Sequence, residues 1–251
     1  RAAVDRGVAG GGAAAERAGD AFPRVLPHRA VRAGGHHAGR GGGERARRHG
    51  EPFRPFEIGT DYLLHVDGQP RLVGVHDFLV SRDISLPQGA PDDPPEAETE
   101  WGLGNRKNEM VHEVIRTQGV RAFPGSVAVL HRLREQGIRT ALVTSSTNAK
   151  LTLDAAGVAD LFDTCVDGNV AADEQLEGKP APGTYLAAAR RLGAPPDRAV
   201  VIEDAIAGVQ AGRRGNFGLV IGVARGANPD ELRHNGADLV VAARQAPALV
   251  D

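Results

Sequence analysis

Cysteine is almost missing from this chain. The single residue, Cys165, excludes an internal disulfide and any multi-cysteine metal site, and it suits a reducing compartment. In its apolar setting it reads as a buried strand residue rather than a reactive thiol. No apolar run approaches the ~20 residues of a membrane-spanning helix, so a cytoplasmic monomer without a membrane partner is expected. Aromatic residues make up only 4% of the chain, and the arginines have no aromatic platform beside them. That weighs against single-stranded nucleic acid as a partner, as does a net charge of -2. Lysine occurs three times, at Lys107, Lys150 and Lys179, against 27 arginines.

The charge is unevenly spread. Residues 1–50 hold ten arginines against four acids, together with twelve of the 33 glycines and four of the nine histidines. Runs such as Gly10-Gly11-Gly12 and Gly41-Gly42-Gly43 oppose both helix and strand, so this stretch reads as a low-complexity basic segment without a folded core. His36-His37 and Arg40 to Arg48 read as a solvated tail rather than as ligands for metal or phosphate backbones.

From residue 51 to 122 the rhythm is helical. Tyr62, Leu63 and Val66 make one short apolar face, Val73, Val75, Phe78 and Leu79 a second, and Met110, Val111, Val114 and Ile115 a third. An acidic, proline-rich loop, Pro87 to Pro95, separates the second from the third. Over residues 123–251 strands and helices alternate: strands near 139–144, 162–166, 199–203, 218–223 and 238–241, with helices between them. Such alternation implies right-handed crossovers and an α/β fold, a doubly wound, Rossmann-like parallel sheet covered by helices.

Three polar clusters fall at strand ends or in the loops that follow them. Thr144-Ser145-Ser146-Thr147-Asn148 brings hydroxyls and amides to a helix start, where an anion is favoured. Gly178-Lys179-Pro180-Ala181-Pro182 stiffens a loop around a lysine able to neutralise a phosphoryl group. Glu203-Asp204 closes the apolar run Val200-Val201-Ile202. Adjacent carboxylates there repel each other unless a metal cation or a lysine compensates, and magnesium takes such oxygen ligands.

Together, Thr144-Ser145-Ser146, GKPAP and VVIEDAIAGVQAG resemble the second, third and fourth motifs of the haloacid dehalogenase superfamily, and more narrowly its β-phosphoglucomutase-like branch. The resemblance runs from about Phe53 to Val241. It implies an α/β core over 123–251 with a small α-helical cap domain over 51–122 that closes over substrate. It further implies that Thr144 and the Ser145 amide bind the transferring phosphoryl group, that Lys179 bridges it to the nucleophile, and that Glu203 and Asp204 hold Mg2+ directly or through water. In the cap, Arg71 within Gly68-Gln69-Pro70-Arg71 would grip the distal phosphate with its planar fork. Lys107, Ser146 and Asn148 match further substrate contacts.

One motif is missing. The family's first motif, D-x-D after an apolar strand, supplies the attacking aspartate and the general acid, and no D-x-D occurs in this sequence. Asp20 stands near the expected spacing without a strand or second aspartate, Ala2 to Val8 echoes the strand, and no nucleophile is assigned. Either residues 1–50 translate a wrong reading frame, or the protein has lost its nucleophile. Both accounts predict a sheet whose central strand is missing or poorly replaced. The functional expectation is Mg-dependent phosphoryl transfer on a small phosphosugar through an aspartyl phosphate, β-phosphoglucomutase-like and impaired as written. The alternatives are a sugar-phosphate phosphatase and an inactive phosphosugar binder.

Overall fold

In the computed structural model, which describes residues 7–10, 60–61, 63–66, 69–224 and 228–242, the short apolar runs of the C-terminal half become parallel strands. These are β2 (Thr140–Val143), β3 (Thr164–Val166), β4 (Ala199–Glu203), β5 (Leu219–Ala224) and β6 (Leu239–Ala242). With β1 (Gly7–Gly10) they form a sheet of order β3-β2-β1-β4-β5-β6, parallel throughout. The chain winds outward from β1 to β3, returns to the other side of β1, and winds out again. This is the doubly wound α/β fold anticipated from the alternation. Its winding reverses around β1, so the ligand crevice of such sheets falls at the carboxyl ends of β2, β1 and β4.

Of the two outcomes expected at the centre of the sheet, a gap or a poor replacement, the gap is corrected: a strand of four residues stands there. Gly7–Gly10 is that strand, with Gly10 opposite Leu142 on one side and Ile202 on the other. A parallel ladder is made of backbone groups, so a Gly-Val-Ala-Gly segment can bridge two strands without the apolar run that sequence patterning looks for. The remaining readings on residues 1–50, including Asp20, His36-His37 and the arginine tract, lie outside the described residues.

The chain divides into two compact units, with crossings at 70/71 and 119/120. In the helical unit the described elements are α1 (Leu63–His65), α2 (Arg71–Val80) and α3 (Glu100–Gln118). Val66, Val75, Phe78, Leu79 and Leu103 form its core, with Ile84 and Leu86 packed against them. Val73 departs from the expected face. It is 42% exposed, while Gly74 lies against the Val66 backbone, where a Cβ would approach to 3.3 Å. The helix anticipated around Met110 to Ile115 starts earlier, because Thr99 caps it by accepting from the Gly102 amide at 2.9 Å. It stops at Gly119, whose φ of 66° is glycine's territory.

In the sheet unit, α4 (Pro124–Glu135) and α5 (Ala149–Ala156) flank β2 in sequence. Next comes α6 (Gly168–Asp173), a short helix absent from the periodicity, which Asp167 initiates by accepting from the Asn169 and Val170 amides. α7 (Gly183–Arg191) packs on β1, β2 and β3, α8 (Ile206–Arg214) on β4 and β5, and α9 (Pro229–His234) on β5 and β6. Tyr185, Leu232, Val143, Val166, Val201, Val209 and Val220 are fully buried in the shared core. Among the described residues no helix is long and apolar enough to cross a membrane.

Candidate active site

Strand periodicity decides where the paired acids go. Glu203 is two residues beyond Val201 and four beyond Ala199, so it shares their face of β4, the face in the core with α7 and α8. The glycines of the motif make that possible. A Cβ on Gly208 would collide with the Glu203 carboxyl group, and one on Gly212 would crowd Val201 at 3.2 Å and Val220 at 3.1 Å. Spaced four apart on one face of α8, they let the helix lie close to the sheet with a buried carboxylate between.

Glu203 is only 2% exposed and is fully engaged. Its Oε1 accepts from the Lys179 ammonium in a buried ion pair and from the Tyr185 hydroxyl at 2.9 Å. Its Oε2 accepts from the backbone amides of Asp204, at 2.9 Å, and Ala205, at 3.1 Å. Burial alone would push this carboxyl up. The Lys179 charge and hydrogen bond, the Ala205 amide and the Tyr185 hydroxyl outweigh it and hold Glu203 below the ordinary carboxylate range. Burial first, and then the Glu203 charge, push the Tyr185 phenol well above its usual value, so it stays a neutral donor. Lys179 also lies 5.1 Å from the centre of the Tyr185 ring. Its loop is a turn, with the Ala181 amide donating to the Gly178 carbonyl at 2.9 Å and Arg214 donating to the Pro180 carbonyl at 3.0 Å.

At the end of β2, the Thr144 amide continues the ladder to the Val166 carbonyl at 3.0 Å. The Thr144 hydroxyl accepts from the Ser146 amide at 3.2 Å, and the Ser146 hydroxyl accepts from the Asn148 amide at 3.1 Å. These local turns shape the loop that carries Ser145 and Asn148 into α5. Thr144 and Glu203 end strands on either side of β1, two strand spacings or about 10 Å apart. The sheet unit thus gathers Thr144, Ser145, Ser146, Asn148, Lys179, Glu203 and Asp204 at strand ends or in the loops beside them. The structure joins Lys179 and Glu203 directly.

Arg71 and Lys107 fall in the helical unit. Arg71 donates to Asn108 Oδ1 at 2.8 Å and to Asn105 Oδ1 at 3.4 Å. Gly104 gives it room, since a Cβ there would stand 3.2 Å from the Arg71 Cδ. Burial lowers the Lys107 ammonium to about 8, and the neighbouring Arg71 charge adds to this. Burial also lowers Arg71.

A divalent cation fits these residues only in part. All four of Glu203's described contacts come from protein donors, which is the geometry of a lysine counter-ion rather than of a direct metal ligand. Asp204 is the second carboxylate at the strand end, and among the described residues no group of three or more His, Cys, Asp or Glu could hold a metal ion. The described donors therefore fall short of a complete magnesium site, and no chemical step is assigned to one here.

Tyr185, Asn105 and Asn108 were not among the residues singled out from the sequence. A buried tyrosine hydroxyl must find a partner, but nothing in the local pattern of GKPAPGTY says that its partner is an acid 18 residues on. Cys165 lies half-buried in β3, and burial, reinforced by Asp167 against the opposing Arg191, pushes its thiol up to about 11. Its place in a strand is the one expected, though its burial is only partial.

A model of the haloacid dehalogenase-like hydrolases matches residues 16–216. The chain is 47% identical over 201 residues to a β-phosphoglucomutase of Mycobacterium bovis, spanning 79% of this chain and 77% of that protein. It is 35% identical over 133 residues to hexitol phosphatase A of Escherichia coli, spanning 51% of this chain and 57% of that protein. Among solved structures, the β-phosphoglucomutase of Clostridium difficile superimposes with a TM-score of 0.66 at 20% identity, covering 95% of this chain and 91% of that one. At that identity the match bears on the fold.

Proposed function

Because the chain belongs to the haloacid dehalogenase-like hydrolases, we propose that it is a phosphosugar enzyme of the β-phosphoglucomutase-like type, dependent on Mg2+ for phosphoryl transfer. What carries this reading is the 47% identity to a β-phosphoglucomutase over most of both chains. In it, Thr144, the Ser145 amide and Lys179 hold the transferring phosphoryl group. Arg71 and Lys107 hold the distal phosphate, and Ser146 and Asn148 contact the substrate. Lys179 needs a fixed, charged ammonium for its part, and Glu203 with Tyr185 supplies the counter-charge and the orientation. The bound metal would supply charge neutralisation, with Asp204 as the protein ligand offered by the described residues. Affinity for free magnesium is accordingly weak. The sugar phosphatase is the same chemistry with water as acceptor.

A second reading has its own observation behind it. With no D-x-D in the sequence, the covalent acceptor of such transfer is not identified, which favours a phosphosugar binder with little turnover. Calorimetry with β-glucose 1-phosphate, run beside an assay for glucose 6-phosphate and for released phosphate, separates these. Glucose 6-phosphate formation supports the mutase, phosphate release the phosphatase, and binding without either the silent binder. No binding at all rejects all three.

A further inference from the structure

The cap carries a feature that the phosphosugar reading leaves unused. Residues 84–99 form a strap between α2 and α3, and Asn105 on α3 is its clasp. The Asn105 side-chain amide donates to the Asp93 carbonyl at 2.8 Å and to the Pro91 carbonyl at 3.0 Å. Both of its N–H donors are thereby used, which fixes its orientation: a flipped amide would set its oxygen against two carbonyls. The Oδ1 atom must then face the other way, and it lies 3.4 Å from Nη1 of Arg71. One side chain therefore touches both the strap and the arginine assigned to the distal phosphate.

The strap is held by hydrogen bonds more than by buried surface. Asp93 Oδ2 closes a loop on the Ala90 amide at 3.1 Å and the Thr99 hydroxyl at 2.6 Å. The Glu100 and Trp101 amides reach the Pro87 and Gln88 carbonyls at 2.9 and 3.1 Å. Ile84 and Leu86 join the small core, whereas Pro87, Gln88, Gly89, Ala90, Pro91 and Asp92 are exposed. A segment with so little buried surface opens at low cost, so its order can be biased by one more contact.

We infer that Asn105 is a positioning residue that links closure of the 84–99 strap to the aim of the Arg71 guanidinium. With the strap closed, Asn105 Oδ1 is presented to Nη1 while Asn108 Oδ1 takes Nη2 at 2.8 Å, and neutral amides guide the fork without neutralising its charge. Linkage is reciprocal: an anion that rewards the aimed arginine also favours the closed strap. The inference rests on the assignment of Arg71 to a substrate phosphate.

Hydrogen exchange of the full chain, with glucose 6-phosphate as probe, tests it. In the wild type the probe slows exchange of the strap amides between 88 and 99 and of the Glu100 and Trp101 amides that bond to it. In Asn105→Ala the free strap exchanges about tenfold faster, the probe no longer slows it, and the Kd rises about five- to tenfold, within the range for loss of one ordinary, long hydrogen bond. Asn105→Asp, of the same size, loses both donors to the strap and offers Arg71 a neutralising charge, so it weakens binding further. Asp93→Ala loosens the strap with Asn105 left in place, weakens binding in the same direction, and carries the test should either Asn105 variant fail to fold. If Arg71→Ala abolishes binding while the Asn105 and Asp93 variants bind normally, the linkage is wrong and the phosphate assignment stands. If Arg71→Ala binds as the wild type does, the assignment fails and takes the inference with it.

Discussion

The Tyr185 hydroxyl lies 2.9 Å from Oε1 of Glu203, the same oxygen that receives the Lys179 ammonium. One carboxylate oxygen thus serves a cation and a neutral donor, in a site with almost no solvent to replace either. The family motifs supply the lysine and the glutamate; the tyrosine comes from the helix that covers them.

Removing one partner from this cluster should cost far more than removing the pair. Glu203→Gln leaves a buried ammonium without a counter-ion, a loss of about 3–5 kcal/mol. Lys179→Met leaves the carboxylate in the same condition. The double variant Lys179→Met/Glu203→Leu should be more stable than either single one, because a desolvated pair returns little net stability. Tyr185→Phe should cost about 1.5–3 kcal/mol, the range for a hydrogen bond to a charged group. Urea denaturation of the four variants checks the ranking, and additive single and double losses would contradict it.

Lys107 gives the helical unit a dependence on pH. Its ammonium titrates at about 8 in the folded protein, so phosphate affinity should fall as the pH rises through that value and the charge is lost. Bound phosphate stabilises the charged form and moves the midpoint higher. Between about 8 and the ordinary lysine value of 10.5 the unfolded chain binds more protons than the folded one, so stability itself should rise with pH. Glucose 6-phosphate titrations at pH 7 and pH 9.5 check the first effect. Lys107→Arg, which stays charged, should flatten it.

His76 and Glu100 make the opposite case. His76 Nδ1 stands 2.7 Å from the Glu100 carboxylate, and that hydrogen bond, with the Glu100 charge, raises the imidazole above 6.5. A raised histidine stabilises the folded state fully below its unfolded pKa and loses that contribution as the pH climbs through the folded one. His76→Gln should therefore lower the melting temperature at pH 5.5 and leave it close to the wild type at pH 8.5. Equal losses at both values would show that protonation plays no part. Since the imidazole is exposed, salt should weaken the effect.

Much of the fold was legible because its signals are local. Strand β4 ends at Glu203 as the apolar run did, and α7, α8 and α9 fall in the intervals between strands where the alternation called for helices. Less legible was whatever depends on one side chain facing another. Gly102 and Gly104 masked the first turns of α3 until the Thr99 cap revealed them. Val73 looked like a core residue because periodicity marks a face, not which part of it is covered.

By itself, the sequence determined the alternation that makes the sheet parallel, the motifs that put Thr144, Lys179, Glu203 and Asp204 at strand ends or in the loops between, and the absence of D-x-D. Tertiary structure alone decided that Gly7–Gly10 is the central strand, because backbone pairing leaves no side-chain signature. It also turned Glu203 inward, onto Lys179 and Tyr185. A sequence shows that two carboxylates adjoin, but the desolvation and the donors around each oxygen, which settle whether a carboxylate meets a metal or a lysine, exist only once helix and sheet have packed.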